Sequence, residues 1–294
     1  MQSNTLIIRS YAKINLGLLV KKKRSDGYHN IETIYVPIQL HDKIRLKKID
    51  KGIIIKTMGI PIPVPQEKAN LAYKAALLFG KEFGITSGIE ILIEKNIPVG
   101  AGLGGGSSNA AAVLQGLNLM SGEPGTKKDL YNLALKIGMD VPFFLCGKAC
   151  YATGRGEILE PIKIPKLNVV LYYPGYPIIT KWAYKKIAKV SLLPKDKRLL
   201  TNQALSLKIL SEKLQNGDLT DLSHYLLNSF EDLVFEHHPD LAEIKQFFLK
   251  HGAYAASLAG SGSAIFGLVE KKNIPILRKA LKENKINVLF TKSL

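Results

Sequence analysis

The residues best equipped for chemistry form one run, Pro98-Val99-Gly100-Ala101-Gly102-Leu103-Gly104-Gly105-Gly106-Ser107-Ser108. Backbone that lacks Cβ atoms can curl with its N–H groups inward, and a bulky anion can then lie directly against it. A helical run from Ser107 to Met120 follows at once, so the positive end of a helix dipole would face the same anion. Ser107 and Ser108 can cap that helix or donate to phosphate oxygens. The chemistry predicted is phosphate binding. Two familiar phosphate loops fit less well. Gly100, Gly102 and Gly105 match a dinucleotide fingerprint formally, but Glu123 is the only acid near the expected spacing and no parallel βαβ unit surrounds it. A Walker A loop needs Gly-Lys-Ser/Thr, and this run has no lysine.

A glycine loop without its own lysine must borrow positive charge if it is to serve phosphoryl transfer, which asks mainly for positioning and charge neutralisation. Lys13 is one source. It shares a strand face with Asn15, because residues i and i+2 point the same way; the other reading is an ordinary solvent-facing strand lysine. Asp140 precedes Val141-Pro142-Phe143-Phe144. It reads as an N-cap with Pro142 in the first turn, or as a carboxylate that takes the proton of an attacking hydroxyl. The two readings are compatible.

These residues need elements to hold them. Residues 6–20 alternate, with Ala12, Ile14, Leu16 and Leu18 on one side and Lys13, Asn15 and Gly17 on the other, which predicts a strand. Asp26-Gly27 is a hairpin turn signal. A second strand is expected over 31–40, further short strands over 43–57, and a Pro-punctuated loop from Ile60 to Pro65. Helical periodicity covers 69–83 and 127–137, with Gly138 as a C-cap, and residues 89–93 read as a strand between them. Beyond Pro161 come a strand at 168–173, a short helical stretch from Thr180 to Tyr184, and helices at 202–216, 218–235 and 239–251. A strand pair over 255–269 brackets Gly260-Ser261-Gly262, and a last helix covers 274–284. Strands and helices mix without a regular βαβ rhythm, so the fold class is α+β. Two domains are expected, 1–160 and 161–294.

Composition narrows the field. The chain has 294 residues, 46% of them hydrophobic, enough for a sizeable core without staples. Cys146 and Cys150 lie four apart with no His cluster nearby, so neither a disulfide framework nor a zinc site is predicted. No apolar run reaches the ~18 residues of a membrane span, and residues 1–9 lack the pattern of a signal peptide; a cytoplasmic protein with no membrane partner is expected. The formal charge is +17. It favours anionic partners. The basic residues are scattered, and the one dense run, Lys21-Lys22-Lys23-Arg24, leads into a turn. No aromatic-basic nucleic-acid signature accompanies it, so a phosphate-rich small molecule is expected rather than nucleic acid. A nucleic-acid-binding protein stays the rival motivated by charge, with salt-sensitive binding as its mark.

The run at 98–108 resembles the phosphate loop of the GHMP kinases, the family of galactokinase, homoserine kinase and mevalonate kinase. Two further segments fit the same family in the same order, Ala12-Lys13-Ile14-Asn15-Leu16 and Leu258-Ala259-Gly260-Ser261-Gly262-Ser263-Ala264. The resemblance spans about 250 residues. Asp26-Gly27-Tyr28-His29, Gly104-Gly105-Gly106 and Gly138-Met139-Asp140-Val141-Pro142-Phe143-Phe144 narrow it to members that act on a diphosphocytidyl sugar alcohol; homoserine or mevalonate kinase is the alternative. The position of Met139 more often holds a small residue in such members. The resemblance implies a ribosomal-protein-S5-domain-2-like N-terminal domain that binds ATP and a ferredoxin-like C-terminal domain. It implies Lys13 and Asp140 as the catalytic pair, residues 98–108 with Asn70 and Lys95 at ATP, and Asn15, Tyr28, His29, Thr180, Tyr184, Gly260 and Ser261 at the acceptor. Tyr28 and Tyr184 would stack on the cytosine; half-buried packing is their other reading. Mg²⁺ is implied with the nucleotide and no dedicated protein cage for it. A monomer or weak homodimer is expected.

Overall fold

Apolar alternation along the first fifty residues produces two long strands, β1 (Thr5–Lys23) and β2 (His29–Ile49), in the computed structural model, which describes residues 4–60, 69–190 and 197–294. The hairpin turn between them closes where Asp26-Gly27 predicts, with the Arg24 N–H donating to the Tyr28 carbonyl at 2.7 Å. The expectation of separate strands at 31–40 and 43–57 is corrected: β2 runs unbroken through Pro37 and His41-Asp42, and β3 (Ile53–Gly59) follows. Asp42 stays in the strand because its carboxylate is satisfied inside the fold, by Lys95 and by the N–H groups of Asn96 and Ile97. Of the loop expected at 60–65, all but Ile60 lies outside the described residues.

The chain forms two compact units, each gathered from separate segments. The first takes the described residues of Met1–Ala12, Leu40–Val99 and Gly104–Gly147. In it β3 runs parallel to β4 (Gly88–Lys95), and β4 pairs antiparallel with the end of β2, from Lys43 opposite Glu94 to Ile49 opposite Gly88. Helices α1 (Leu71–Phe83), α2 (Gly105–Met120), α3 (Lys127–Ile137) and α4 (Val141–Cys146) complete it. Ile44, Leu46, Ile91 and Ile93 of the strands join Ala72 and Phe79 of α1 and Ala110, Val113 and Leu114 of α2 in one core. On β2 the alternate residues Lys43, Arg45 and Lys47 are exposed, so part of the net positive charge is a solvated strand face.

The second unit takes Lys13–Gln39, Gly100–Leu103 and the described residues of Lys148–Leu294. The start of β2 pairs with β5 (Cys150–Thr153), which pairs with β6 (Ile158–Pro161). A four-stranded antiparallel sheet follows the order β10-β7-β9-β8, built from β7 (Asn168–Tyr172), β8 (Ala253–Leu258), β9 (Ile265–Val269) and β10 (Val288–Lys292). Helices α5 (Thr180–Val190), α6 (Lys197–Gln215), α7 (Glu231–His237) and α8 (Pro239–Lys250) separate β7 from β8, and α9 (Ile274–Glu283) separates β9 from β10. That strand order with helical crossovers is the ferredoxin-like split βαβ arrangement. Val170, Phe230, Val234, Phe248, Leu258 and Leu277 lie in its core.

The helix expected over 218–235 is a second correction. A 3-10 turn at Leu222–His224 and an irregular stretch precede α7. Local side-chain bonds outcompete the helix there. Asp218 accepts from the Thr220 N–H at 2.9 Å, Asp221 takes a left-handed φ of +55°, and the Asn228 side chain accepts from the Phe230 N–H at 2.9 Å. Among the described residues no helix is long and apolar enough to cross a membrane.

Candidate active site

The glycine run has the geometry that its composition requires. Gly100, Gly102 and Gly104 take φ of +69°, +77° and +73°, while Ala101 and Leu103 between them keep negative φ. Alternating handedness of this kind turns successive N–H groups toward one side and makes an anion nest. A side chain at Gly102 would fall on the Ala259 carbonyl, so glycine is required twice over, by φ and by space. The cap expectation is corrected. Gly104 is the N-cap of α2 and makes no side-chain cap bond, and Ser107 and Ser108 lie inside the first turns. Ser108 is buried, 2.7 Å from the Ser10 hydroxyl, which also reaches Asn109 Oδ1 at 2.7 Å. Ser107 is half-buried and Gly106 exposed at the helix start.

Two lysines are buried beside this run, one in each unit. In the first, Lys95 is 3% exposed and ion-paired with Asp42, which is fully buried. Asp42 Oδ1 also accepts from the Asn96 and Ile97 N–H groups at 2.7 and 2.8 Å. The Lys95 ammonium lies 3.1 Å from where a Cβ on Gly105 would be, against the start of α2. Asn70 is the N-cap of α1, its Oδ1 accepting from the Ala72 N–H at 3.0 Å. Asp140 occupies the N-cap position of α4 with Pro142 in the first turn, yet its carboxylate makes no cap bond. It is half-buried.

In the second unit Lys13 is 4% exposed, so it is no solvent-facing strand lysine. It donates to Asn15 Oδ1 at 2.5 Å and stands 5.6 Å above the Tyr35 ring. Asn15 donates in turn to Thr33, whose hydroxyl donates to the Gly17 carbonyl. The Lys13 N–H donates to the Leu103 carbonyl at 3.0 Å, and its ammonium lies 3.2 Å from a Cβ position on Gly260. The loop between β8 and β9 is therefore packed on Gly102 and Lys13. Asn228 holds that loop in place, donating to the carbonyls of Leu258 and Gly260 at 2.8 and 2.9 Å. Ser261 is 3.2 Å from the Thr180 hydroxyl.

The aromatic residues follow the same unit. His29 packs on Tyr184 with ring centroids 5.5 Å apart, and Tyr184 meets Phe230 edge-on. Burial, reinforced by Lys23, holds the His29 imidazole below its ordinary pKa, and its Nε2 is buried with no hydrogen-bond partner. A neutral ring with an unfilled polar atom is suited to a polar ligand edge. Tyr28 is 50% exposed with the Arg155 guanidinium 5.3 Å from its ring. The structure thus groups Lys13, Asn15, Gly260, Ser261 and Thr180, and separately His29 with Tyr184; Asn70, Lys95, Ser108 and Asp140 belong to the other unit.

Sequence reasoning missed Asp42, Thr33, Arg155 and Asn228. Only Asp42 left a signal: it shares strand parity with the apolar Ile44 and Leu46, the pattern of an inward-facing carboxylate. Among the described residues no group of three or more His, Cys, Asp or Glu could hold a metal ion.

The profile of the GHMP kinases N terminal domain matches residues 70–148, and that of the GHMP kinases C terminal matches residues 210–287. The chain is 40% identical over 267 residues to the 4-diphosphocytidyl-2-C-methyl-D-erythritol kinase of Chlorobium phaeobacteroides, covering 90% of this chain and 89% of that protein. To the enzyme of the same name from Clostridioides difficile it is 36% identical, covering 92% and 89%. A crystal structure of 4-(cytidine 5'-diphospho)-2C-methyl-D-erythritol kinase superimposes with a TM-score of 0.78 at 32% identity, over 98% of this chain and 99% of that one. L. major mevalonate kinase, solved in complex with R-mevalonate, shares the fold alone, with a TM-score of 0.77 at 19% identity over 100% and 98% of the two chains.

Proposed function

This chain belongs to the GHMP kinase family, and we propose that within it the protein moves the γ-phosphate of ATP onto the 2-hydroxyl of 4-diphosphocytidyl-2-C-methyl-D-erythritol. The products are the 2-phosphate and ADP, in the methylerythritol phosphate route to isopentenyl diphosphate. The geometric observation that carries a kinase reading is a backbone nest of alternating glycines with a buried lysine ammonium against it. The choice of acceptor is supported by the names of relatives 36–40% identical over about nine-tenths of the chain.

We assign the roles as follows. The N–H groups of residues 100–107, at the start of α2, receive the phosphates of ATP, with Lys95 adding charge beside Gly105. Asp140 accepts the hydroxyl proton as the acceptor oxygen bonds to the γ-phosphorus and the bond from that phosphorus to the ADP oxygen breaks. Lys13 balances the charge that develops on the transferred group. Asn15 fixes the Lys13 ammonium. Tyr28, His29 and Tyr184 hold the cytosine, with Thr180, Gly260 and Ser261 along the acceptor. Mg²⁺ would travel with the nucleotide, held by phosphate oxygens and waters and few protein groups; no step here runs through a protein-held metal. The protein is assigned to the cytoplasm. Incubation with γ-labelled ATP and each of three acceptors tests the reading. Label should pass to the cytidyl substrate and not to mevalonate or homoserine. Absence of label in the cytidyl substrate overturns it.

A further inference from the structure

The acceptor residues Thr180 and Tyr184 open α5, and the segment that leads into α5, Pro174 to Ile179, is anchored from three sides. Its backbone meets the glycine run, with the Ile178 N–H donating to the Gly100 carbonyl at 3.1 Å. It meets the β8–β9 loop, where the Ser263 hydroxyl donates to the Tyr176 carbonyl. The third anchor is a side chain. The Tyr176 phenol donates to Asp240 Oδ2 at 2.7 Å, and its ring stacks on His238 with centroids 5.2 Å apart and planes 26° apart. Asp240 and His238 flank Pro239 at the start of α8, a helix whose Leu241 and Phe248 lie in the same core as Ala183 and Ile187 of α5. Burial and the Asp240 carboxylate hold the Tyr176 phenol above its ordinary pKa, so it stays a donor at neutral pH. Nothing in the assigned chemistry uses these groups.

We propose that Tyr176 is a positioning residue, latching the segment ahead of α5 to the start of α8 and so fixing where Thr180 and Tyr184 stand for the cytidyl substrate. The inference rests on the acceptor reading of those two residues. The alternative is that Tyr176 only packs. A hydrogen bond to a carboxylate at a partly open site, backed by one ring stack, is strong enough to hold a short segment but too weak to carry the fold. Its loss should therefore loosen α5's first turn and leave the glycine nest intact.

The chain has one tryptophan, Trp182, edge-on to His237 at 5.2 Å in the same turn of α5. Its fluorescence reports on that turn without any turnover. In Tyr176→Phe, acrylamide quenching of Trp182 should rise about twofold. The KM for the cytidyl substrate should rise three- to tenfold, while kcat and the KM for ATP stay within twofold. Asp240→Ala should reproduce both changes, and the double variant should be no worse than either single one, as expected for partners in one bond. Asp240→Asn should behave as the unaltered protein, because an amide oxygen accepts the same hydrogen bond. Unchanged quenching overturns the latch. So does a parallel rise in both KM values, or multiplicative effects in the double variant. Failure of the unaltered protein to phosphorylate the cytidyl substrate would instead overturn the acceptor reading, with the quenching comparison still deciding the latch.

Discussion

Replacing Asp42 by Asn isolates one buried ion pair. Asp42 Oδ1 holds the Asn96 and Ile97 N–H groups, and Oδ2 alone faces the Lys95 ammonium. An asparagine can keep Oδ1 where it is, so both backbone bonds survive. Its Nδ2 then points a donor at an ammonium that is 3% exposed. Breaking a buried pair by removing one partner costs about 3–5 kcal/mol, because the remaining charge is left uncompensated. That is a large part of the roughly 5–15 kcal/mol stability of a folded protein. With a urea slope of about 2 kcal/mol/M, the unfolding midpoint should fall by about 2 M. The double variant Asp42→Asn/Lys95→Met strands no charge and keeps both N–H acceptors, so most of the loss should return. It also removes the cation beneath Gly105. Nucleotide affinity by calorimetry should therefore fall at least tenfold in the double variant although its stability recovers. A cost below about 1 kcal/mol in Asp42→Asn would refute the buried-pair argument. Normal ATP affinity in the restored double variant would show that Lys95 only fills the core.

Asp140→Asn separates base from cap: kcat should drop at least ~100-fold, with stability within about 0.5 kcal/mol because asparagine keeps the shape and caps a helix as well as aspartate does; more than half the activity retained would remove Asp140 as the base. Gly102→Ala forces a side chain into φ +77° and onto the Ala259 carbonyl, so it should weaken ATP binding at least tenfold, and normal affinity by calorimetry in the folded variant would displace the phosphates from this nest. Tyr28→Ala should raise the KM of the cytidyl substrate far more than that of ATP; equal effects would make Tyr28 a packing residue. The His29 imidazole should titrate by NMR below 6.5, its ordinary value. Below pH 6.5 the unfolded chain then binds a proton that the native state refuses, so stability should fall with acid across that window and fall less in His29→Gln; a midpoint at or above 6.5 contradicts the burial argument.

What was legible in the sequence was whatever a local rule controls. The period of two placed Lys13 and Asn15 on one strand face, and the structure joins them by a hydrogen bond. The density of glycine announced the nest, because only left-handed φ at alternate positions makes such spacing useful. Where distant groups decide, local rules failed. The strand break expected near Asp42 did not occur, since Lys95, fifty-three residues away, neutralises the carboxylate that would otherwise resist burial. The helix expected through Asn228 did not form, since that amide is committed to two carbonyls beside Gly260. Ser107 and Ser108 looked like caps because serine at a helix start usually is one, but the extra glycine moved the cap to Gly104 and carried both serines inside. The displacement has a chemical consequence. A serine cap would have satisfied an N–H of the first turn with its own hydroxyl, whereas a glycine cap leaves those N–H groups to a ligand. The glycine that defeats the serine-cap expectation is thus the one that leaves the start of α2 with no side-chain cap.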